Sequence, residues 1–592
     1  MSAREEAPMG GANVPESERA AAGESSPTGE HQGEHAAARG PDGAEADKGA
    51  TESALIRFGA PLLVLLLCAL SVAAKVHVNE PRTGVAHGDA GYYLTVAKNL
   101  TEGRGFVTDY VADFMAGPKR LPCPANTFWM PLTPVILAAG MLLFGTTFAA
   151  AKGTMIAVSS LAPLLAYLLG RELFGGRRHG LAAALLAATS EGYLTAACQP
   201  QTHGVTLVLG SAWLLLALRA MRDPAGWKWM GPMTALLHLN RSDGAFYFLV
   251  LGLLWLLPLP GMARFGWRTW RTILVGYGLV MAPLWVHNVF TLGTPMPLGL
   301  GRAALMTEYS QTYSTPESLT LESFFDAGWD VVYESKRKAV ETNGATFLLG
   351  AATGNQRAET RLLRAHHFAL LGLVWLGWPL LVRRRFLPIL GALAILWSIY
   401  TFVFSATGLA SLRSSVYPIY LAYFAEAGRV LDLAVGWLAT RVGDGRLVRR
   451  VGTVGATLFL GWIGWSQVSY AAEETRQRVR FIHMVERKHE QLVRQIVEPF
   501  DLHDAVIMTW DVHELHVHTG LKLVMVPHEP EPTIYRIARE LGVTHVLIFG
   551  AVEQVADLRP GLAAIPSTRE HYEILYRDLL LGERVRLFRV LP

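Results

Sequence analysis

Residues 230–260 read MGPMTALLHLNRSDGAFYFLVLGLLWLLPLP, an apolar stretch interrupted at its middle by Arg241-Ser242-Asp243-Gly244. The stretch could cross a bilayer core of about 30 Å once with residues to spare. A charged pair at the centre of a single lipid-facing helix is expensive, however. The stretch therefore predicts two short spans joined by a polar turn.

Working outward, further apolar runs long enough to cross lie near 54–74, 153–170, 180–197, 204–220, 272–291, 366–382, 386–406, 414–435 and 451–470. Residues 131–146 fit either a full span or a short helix in the interface. The basic loops decide between these: Arg171/Arg177/Arg178, Arg219/Arg222/Lys228, Arg264/Arg268/Arg271, Arg383/Arg384/Arg385 and Arg441/Arg446/Arg449/Arg450. All five share one side only if 131–146 does not cross and 230–260 crosses twice. The expectation is a mostly α, polytopic helical bundle of about eleven spans in a bacterial-type inner membrane. Its N-terminus is cytoplasmic and its C-terminus extracytoplasmic. Within this transmembrane domain, residues 54–470, the outer face receives the loops 75–152 and 292–365.

Composition agrees, with 51% hydrophobic and 17% charged residues, and a net charge of +4 too small to suggest nucleic acid. Residues 1–53 hold eleven acidic and four basic residues with almost no large apolar side chains, which predicts a disordered acidic tail. Residues 471–592 predict an extracytoplasmic domain: a charged helix over 471–498, then strands around 505–510, 519–527 and 544–549 with a helix over 531–541. This is a small α/β layer carrying no nucleotide-binding glycine motif. The three cysteines form no CxxC pair.

The first outer loop holds His87-Gly-Asp89-Ala-Gly-Tyr92-Tyr93, followed by Ala97, Leu100, Gly103 and Gly105. On residue chemistry alone, Asp89 is a good helix N-cap. Further on come Trp129-Met-Pro131-Leu132-Thr-Pro134 through Ala138, with Phe144-Gly145. Then follow Leu239-Asn-Arg241-Ser-Asp243-Gly244, Pro283-Leu-Trp285-Val-His287-Asn288 with Gly293-Thr-Pro295, and Arg413-Ser-Ser-Val-Tyr417-Pro418.

In this order the motifs resemble those of the GT-C superfamily of polyprenyl-phosphate-sugar glycosyltransferases, which includes protein O-mannosyltransferases and lipid A aminoarabinose transferases. The resemblance implies an outward-facing, inverting transfer from a lipid-linked sugar to a lipid, polysaccharide or protein acceptor. It makes Asp89 the base, Arg241 and Arg413 phosphate contacts, and Tyr93, His203 and Asn288 further substrate-binding residues. A fixed guanidinium fork suits phosphate, although interfacial arginines also anchor to headgroups. Tyr92, Phe128 and Trp129 could line sugar or prenyl surface, or form an interfacial aromatic belt.

The chain departs from the family at His287, where an Arg is usual, and at Gln199-Pro-Gln-Thr-His203, where many relatives have an acidic residue. Glu191 lies nearby but reads as too deep to replace it. The sequence identifies no cofactor, and His87, Asp89 and His203 could ligate a divalent metal. His513, His516 and His518 read as solvated surface. The family fold also brings the first loop near the third span, which makes Cys123 and Cys198 a candidate disulfide. Two rival readings are a transporter or flippase, disfavoured by the absence of internal repeats, and a non-catalytic protein that kept the fold.

Overall fold

In the computed structural model the described residues run from Gly43 to Pro592, apart from 86–87, 257–264, 297–298, 354–363, 383–385, 405, 407–414, 443, 550–559 and 581–582. Helix α1 (Gly43–Asn79) begins inside the segment read as a tail and supplies the first apolar rod, Gly59–Asn79. The first loop follows with α2 (Gly88–Thr101), β1 (Val107–Thr108), β2 (Tyr110–Val111), β3 (Cys123–Pro124) and α3 (Leu132–Phe144).

The bundle continues through α4 (Phe148–Ser159), α5 (Ala162–Phe174), α6 (Arg177–Thr189), α7 (Glu191–Thr195) and α8 (Thr202–Ala220). Next come α9 (Met230–Asn240), α10 (Phe246–Leu256) and α11 (Trp267–Leu292). The second loop holds α12 (Gly299–Arg302), α13 (Leu321–Asp326) and α14 (Trp329–Thr353). Helices α15 (Ala365–Val382), α16 (Phe386–Phe404), α17 (Tyr417–Arg441) and α18 (Gly445–Leu492) complete the bundle.

Among the described residues, helices lie at the expected apolar runs. Five stretches are long and apolar enough to cross a membrane by themselves: Gly59–Asn79, Phe148–Phe174, Thr202–Ala220, Trp267–Leu292 and Phe386–Phe404. The chain is a multi-pass membrane protein. At 13 residues, α3 is about 20 Å long, and its Leu142, Leu143 and Phe144 end is exposed and apolar. Helices α9 and α10, eleven residues each, form the expected broken pair around Arg241.

The bundle core centres on Trp213, Tyr193, Tyr417 and Tyr420, packed with aliphatic side chains from α5, α6, α8 and α15–α17. Between α5 and α6 the helices meet through glycine. A Cβ on Gly180 would lie 2.5 Å from the Tyr167 carbonyl oxygen, and one on Gly170 would lie 2.9 Å from the Gly180 Cα. Small residues allow this approach, which in lipid replaces hydrophobic driving force with close packing.

The span expected over 451–470 and the charged helix after it are one continuous element, α18, of 48 residues. Beyond it lie β4 (Val506–Thr509), α19 (His513–Thr519), β5 (Lys522–Met525), α20 (Glu531–Glu540), β6 (His545–Phe549), β7 (Tyr572–Leu580) and β8 (Glu583–Val590). The sheet order is β2-β5-β4-β6-β8-β7. Strands β5, β4 and β6 pair in parallel, whereas β6, β8 and β7 pair antiparallel. The edge strand β2 comes from the first loop and runs parallel to β5, with Tyr110 opposite Leu523 and Val111 opposite Val524. The loop and the C-terminal layer thus share one core, in which Tyr110 and Val111 pack with Leu515, Leu523 and Val524.

The α5–α6 contact makes a direct prediction. Gly180→Ala places a methyl group against backbone that cannot yield, so it should destabilise the protein by about 1–3 kcal/mol. Thermal unfolding in detergent should show a clear fall in midpoint. Arg178→Ala, at an exposed position of the same helix, should leave the midpoint almost unchanged.

Candidate active site

Helix α2 begins at Gly88, so Asp89 lies in its first turn. The residue is exposed, and among the described residues its carboxylate has neither hydrogen-bond partner nor ion pair. One turn further on, Tyr93 is buried. Burial, reinforced by the negative charge of Asp89, pushes the Tyr93 hydroxyl well above its ordinary range.

The first turn of α2 is set by the C-terminal layer. A Cβ on Gly88 would stand 2.9 Å from His513 Cδ2, and one on Gly91 would stand 3.1 Å from the His513 carbonyl oxygen. His513 Nδ1 lies 3.1 Å from the Tyr110 hydroxyl. Burial holds the imidazole down to about 4, so the ring beside Asp89 is neutral at neutral pH. This corrects the expectation of solvated surface for two of the three histidines. His513 is buried, and His516 is half-buried with its Nδ1 2.8 Å from the Leu521 carbonyl oxygen. Only His518 is exposed. An amphipathic turn read in isolation could not reveal that a loop four hundred residues earlier covers it.

Arg241 terminates α9 in extended conformation. Its Nε and Nη2 donate to the two carboxylate oxygens of Asp243 at 2.9 and 3.1 Å, and Nη1 donates to Thr202 Oγ1 at 3.3 Å. Asp243 also accepts from Ser415 Oγ. Beside the fork, Asn240 Nδ2 donates to Thr206 Oγ1 at 2.7 Å, and Thr133 Oγ1 donates to Asn240 Oδ1 at 2.6 Å. The turn is tight because of Gly244, where a Cβ would lie 2.3 Å from the Leu237 carbonyl oxygen. Arg241, Asp243 and Asp89 all act electrostatically on the Tyr93 hydroxyl. The expected base and one expected phosphate contact therefore both lie within electrostatic reach of Tyr93.

The remaining expected residues divide. Asn288 is buried and donates from Nδ2 to the Pro295 carbonyl oxygen at 3.2 Å, so it holds the turn after α11. His203 is buried at the start of α8, 5.9 Å between ring centroids from Tyr417. Tyr92 is buried and stacks on Trp129 at 4.3 Å, and its hydroxyl accepts from the Asn126 N–H; this pair packs the inside of the loop. Arg413 and His87 lie outside the described residues.

A second cluster was missed in the sequence. Glu191 on α7 and His366 and His367 on α15 are all buried, and each offers a ligand atom within 4.8 Å of the others. Glu191 Oε2 lies 3.2 Å from His367 Nε2, and the Arg364 N–H donates to His367 Nδ1. His366 Nε2 is buried without a hydrogen-bond partner. Two imidazoles and a carboxylate fit a zinc-class cation. Among the described residues this is the group able to hold a metal, and Asp89 and His203 are not part of it. The usable signal was two adjacent histidines opening an apolar run, where polar side chains are expensive. The three cysteines are free, so the candidate bridge between Cys123 and Cys198 does not form. Cys123 lies 3.0 Å from Thr108 Oγ1, and Cys198 Sγ donates to the Tyr193 carbonyl oxygen.

The bundle and its loops define a membrane protein of the GT-C fold. The fold matches that of ArnT from Cupriavidus metallidurans bound to undecaprenyl phosphate, with a TM-score of 0.54 at 15% identity over 89% of this chain and 97% of that one. It also matches archaeal oligosaccharyltransferase AglB from Archaeoglobus fulgidus, with a TM-score of 0.52 at 13% identity over 90% of this chain and 74% of that one. In sequence, residues 126–287 match the family described as dolichyl-phosphate-mannose-protein mannosyltransferase. The undecaprenyl phosphate-alpha-4-amino-4-deoxy-L-arabinose arabinosyl transferase of Pseudomonas aeruginosa (strain LESB58) is 33% identical over 180 residues, 29% of this chain. The matched region spans about 30% of that relative's length. The resemblance to GT-C polyprenyl-phosphate-sugar glycosyltransferases read from the motifs thus holds in sequence and in fold.

The fork at Arg241 predicts its own energetics. Asp243→Asn removes the charge that neutralises a largely buried guanidinium and should cost about 2–4 kcal/mol, less than a fully buried pair because Arg241 keeps some exposure. Thr202→Val loses one long hydrogen bond and should cost under about 1.5 kcal/mol. Thermal unfolding of both variants checks the order.

Proposed function

We propose that the chain is a glycosyltransferase that moves a sugar from a polyprenyl-phosphate donor to an acceptor on the extracytoplasmic face of the inner membrane. The observation that carries this reading is that Asp89, an exposed carboxylate with no hydrogen-bond or ion-pair partner among the described residues, and the Arg241 guanidinium both lie within electrostatic reach of Tyr93. The related proteins' names specify lipid-phosphate sugar donors, which is the chemistry such a pair suits.

A donor of this kind already carries a phosphate leaving group, so the protein needs a base and a phosphate contact rather than a strong acid. The acceptor hydroxyl attacks the anomeric carbon as its proton passes to Asp89. The bond from that carbon to the phosphate oxygen breaks, the polyprenyl phosphate departs, and the anomeric centre inverts. Three of the five N–H donors of Arg241 are engaged by Asp243 and Thr202, which leaves two for phosphate. Arg413 is the second proposed phosphate contact, and its near neighbour Ser415 bonds to Asp243. His203 and Asn288 are assigned to shaping the site. A domain boundary near 471, a cytoplasmic N-terminus and an extracytoplasmic C-terminus belong to the same proposal.

Glu191, His366 and His367 are the proposed holders of a divalent cation, which would supply positive charge near the end of the bundle that bears the loops. Elemental analysis of the purified chain should find about one zinc-class ion, lost in His366→Ala. An equal and negligible content in both proteins removes the metal from the proposal.

The decisive variant is Asp89→Asn. Asp89 follows Gly88 inside the first turn and so is not the N-cap expected from sequence. Its side chain is exposed and has no hydrogen-bond partner among the described residues, so expression and thermal stability should be nearly unchanged. Transfer of sugar from polyprenyl phosphate should fall to a few per cent or less. Retained transfer ends the assignment of Asp89 as base, and a loss matched by unfolding returns it to a structural role.

A further inference from the structure

Three residues beyond the apolar rod Gly59–Asn79, Arg82 is buried to 2% exposure. None of its three guanidinium nitrogens has a hydrogen-bond partner among the described residues. Five N–H donors buried without acceptors are costly, and a Met of similar length would carry no such cost.

The surroundings deepen the imbalance. Lys75 is fully buried, with Nζ 2.9 Å from Ser159 Oγ. Lys152 Nζ donates to the Asn79 and Arg82 carbonyl oxygens at 2.9 and 2.8 Å. Lys75, Arg82 and Lys152 all act electrostatically on the Cys198 thiol, which locates the three cations around one point. The carboxylate that acts on Arg82 is Glu474, already 2.6 Å from Arg478. Burial, followed by repulsion from Arg478, draws the Arg82 guanidinium down to about 10. No hydrogen bond or ion pair among the described residues joins this cluster to Asp89, Arg241 or Asp243.

We propose that Arg82 is the centre of an anion site that takes the phosphate group of a membrane lipid. Phosphate offers several acceptor oxygens to a guanidinium fork and supplies the missing negative charge. The position just past the end of a span is the level at which lipid headgroups lie.

The test uses the full chain purified in a phosphate-free maltoside detergent. Bound phosphorus is measured, and thermal unfolding is followed with added phosphatidylglycerol or inorganic phosphate at equal ionic strength. The wild type should either retain about one more phosphorus per chain than Arg82→Met or gain about 2–4 °C on addition of a phosphate compound. Arg82→Met should show neither effect, and without ligand it should be at least as stable as wild type. Response to phosphatidylglycerol alone identifies a headgroup, whereas response to inorganic phosphate identifies a free anion as sufficient. If Arg82→Met does not accumulate, Arg82→Gln carries the same comparison. Equal phosphorus together with equal response in wild type and variant overturns the site.

Discussion

The end of the bundle that bears the loops is organised around the fork between Arg241 and Asp243. Two charges can be held at the break between α9 and α10 only because each has most of its bonding satisfied. Thr202 at the start of α8, Ser415 before α17 and the turn itself all contribute to that satisfaction. Segments far apart in sequence are thereby fixed to one another at one point. The side chains best suited to hold a phosphate are the same ones that close the helical turn.

The carboxylate of Asp89 is positioned from another direction. Helix α2 enters the site through glycines whose missing side chains admit His513, and His513 is held in turn by Tyr110. Asp89 therefore sits on a helix braced by the C-terminal layer, while its own side chain stays unengaged. A base needs that combination of fixed backbone and available oxygen.

How much was legible in sequence follows from which forces act locally. Lipid imposes length and apolarity on every span, so the helices and the break at Arg241 were visible as runs and interruptions, whereas 131–146 fitted a span or an interfacial helix equally until the basic loops were counted. Asp89 and Arg241 were singled out by the motifs that resemble the GT-C superfamily, and their roles belong to the proposal. The strands β4, β5 and β6 stood out as β-branched runs, but β2 did not. It is two residues long, and its pairing depends on a partner hundreds of positions away rather than on its own pattern. The histidines of α19 were misread for the same reason, since their cover is supplied by that distant loop. Glu191 looked too deep to matter until α15 brought two histidines beside it.

The pairing of β2 with β5 also constrains when the protein becomes complete. Tyr110 faces Leu523, so an edge exposed early in synthesis waits for a partner made more than four hundred residues later. At about 5–20 residues per second the wait is roughly 20–80 s. Until then the first loop presents an unpaired edge and an unbraced α2. Chains cut short before β5 would insert most of their helices yet lack the partner that braces the first loop, so that loop is completed only after β5 has been made.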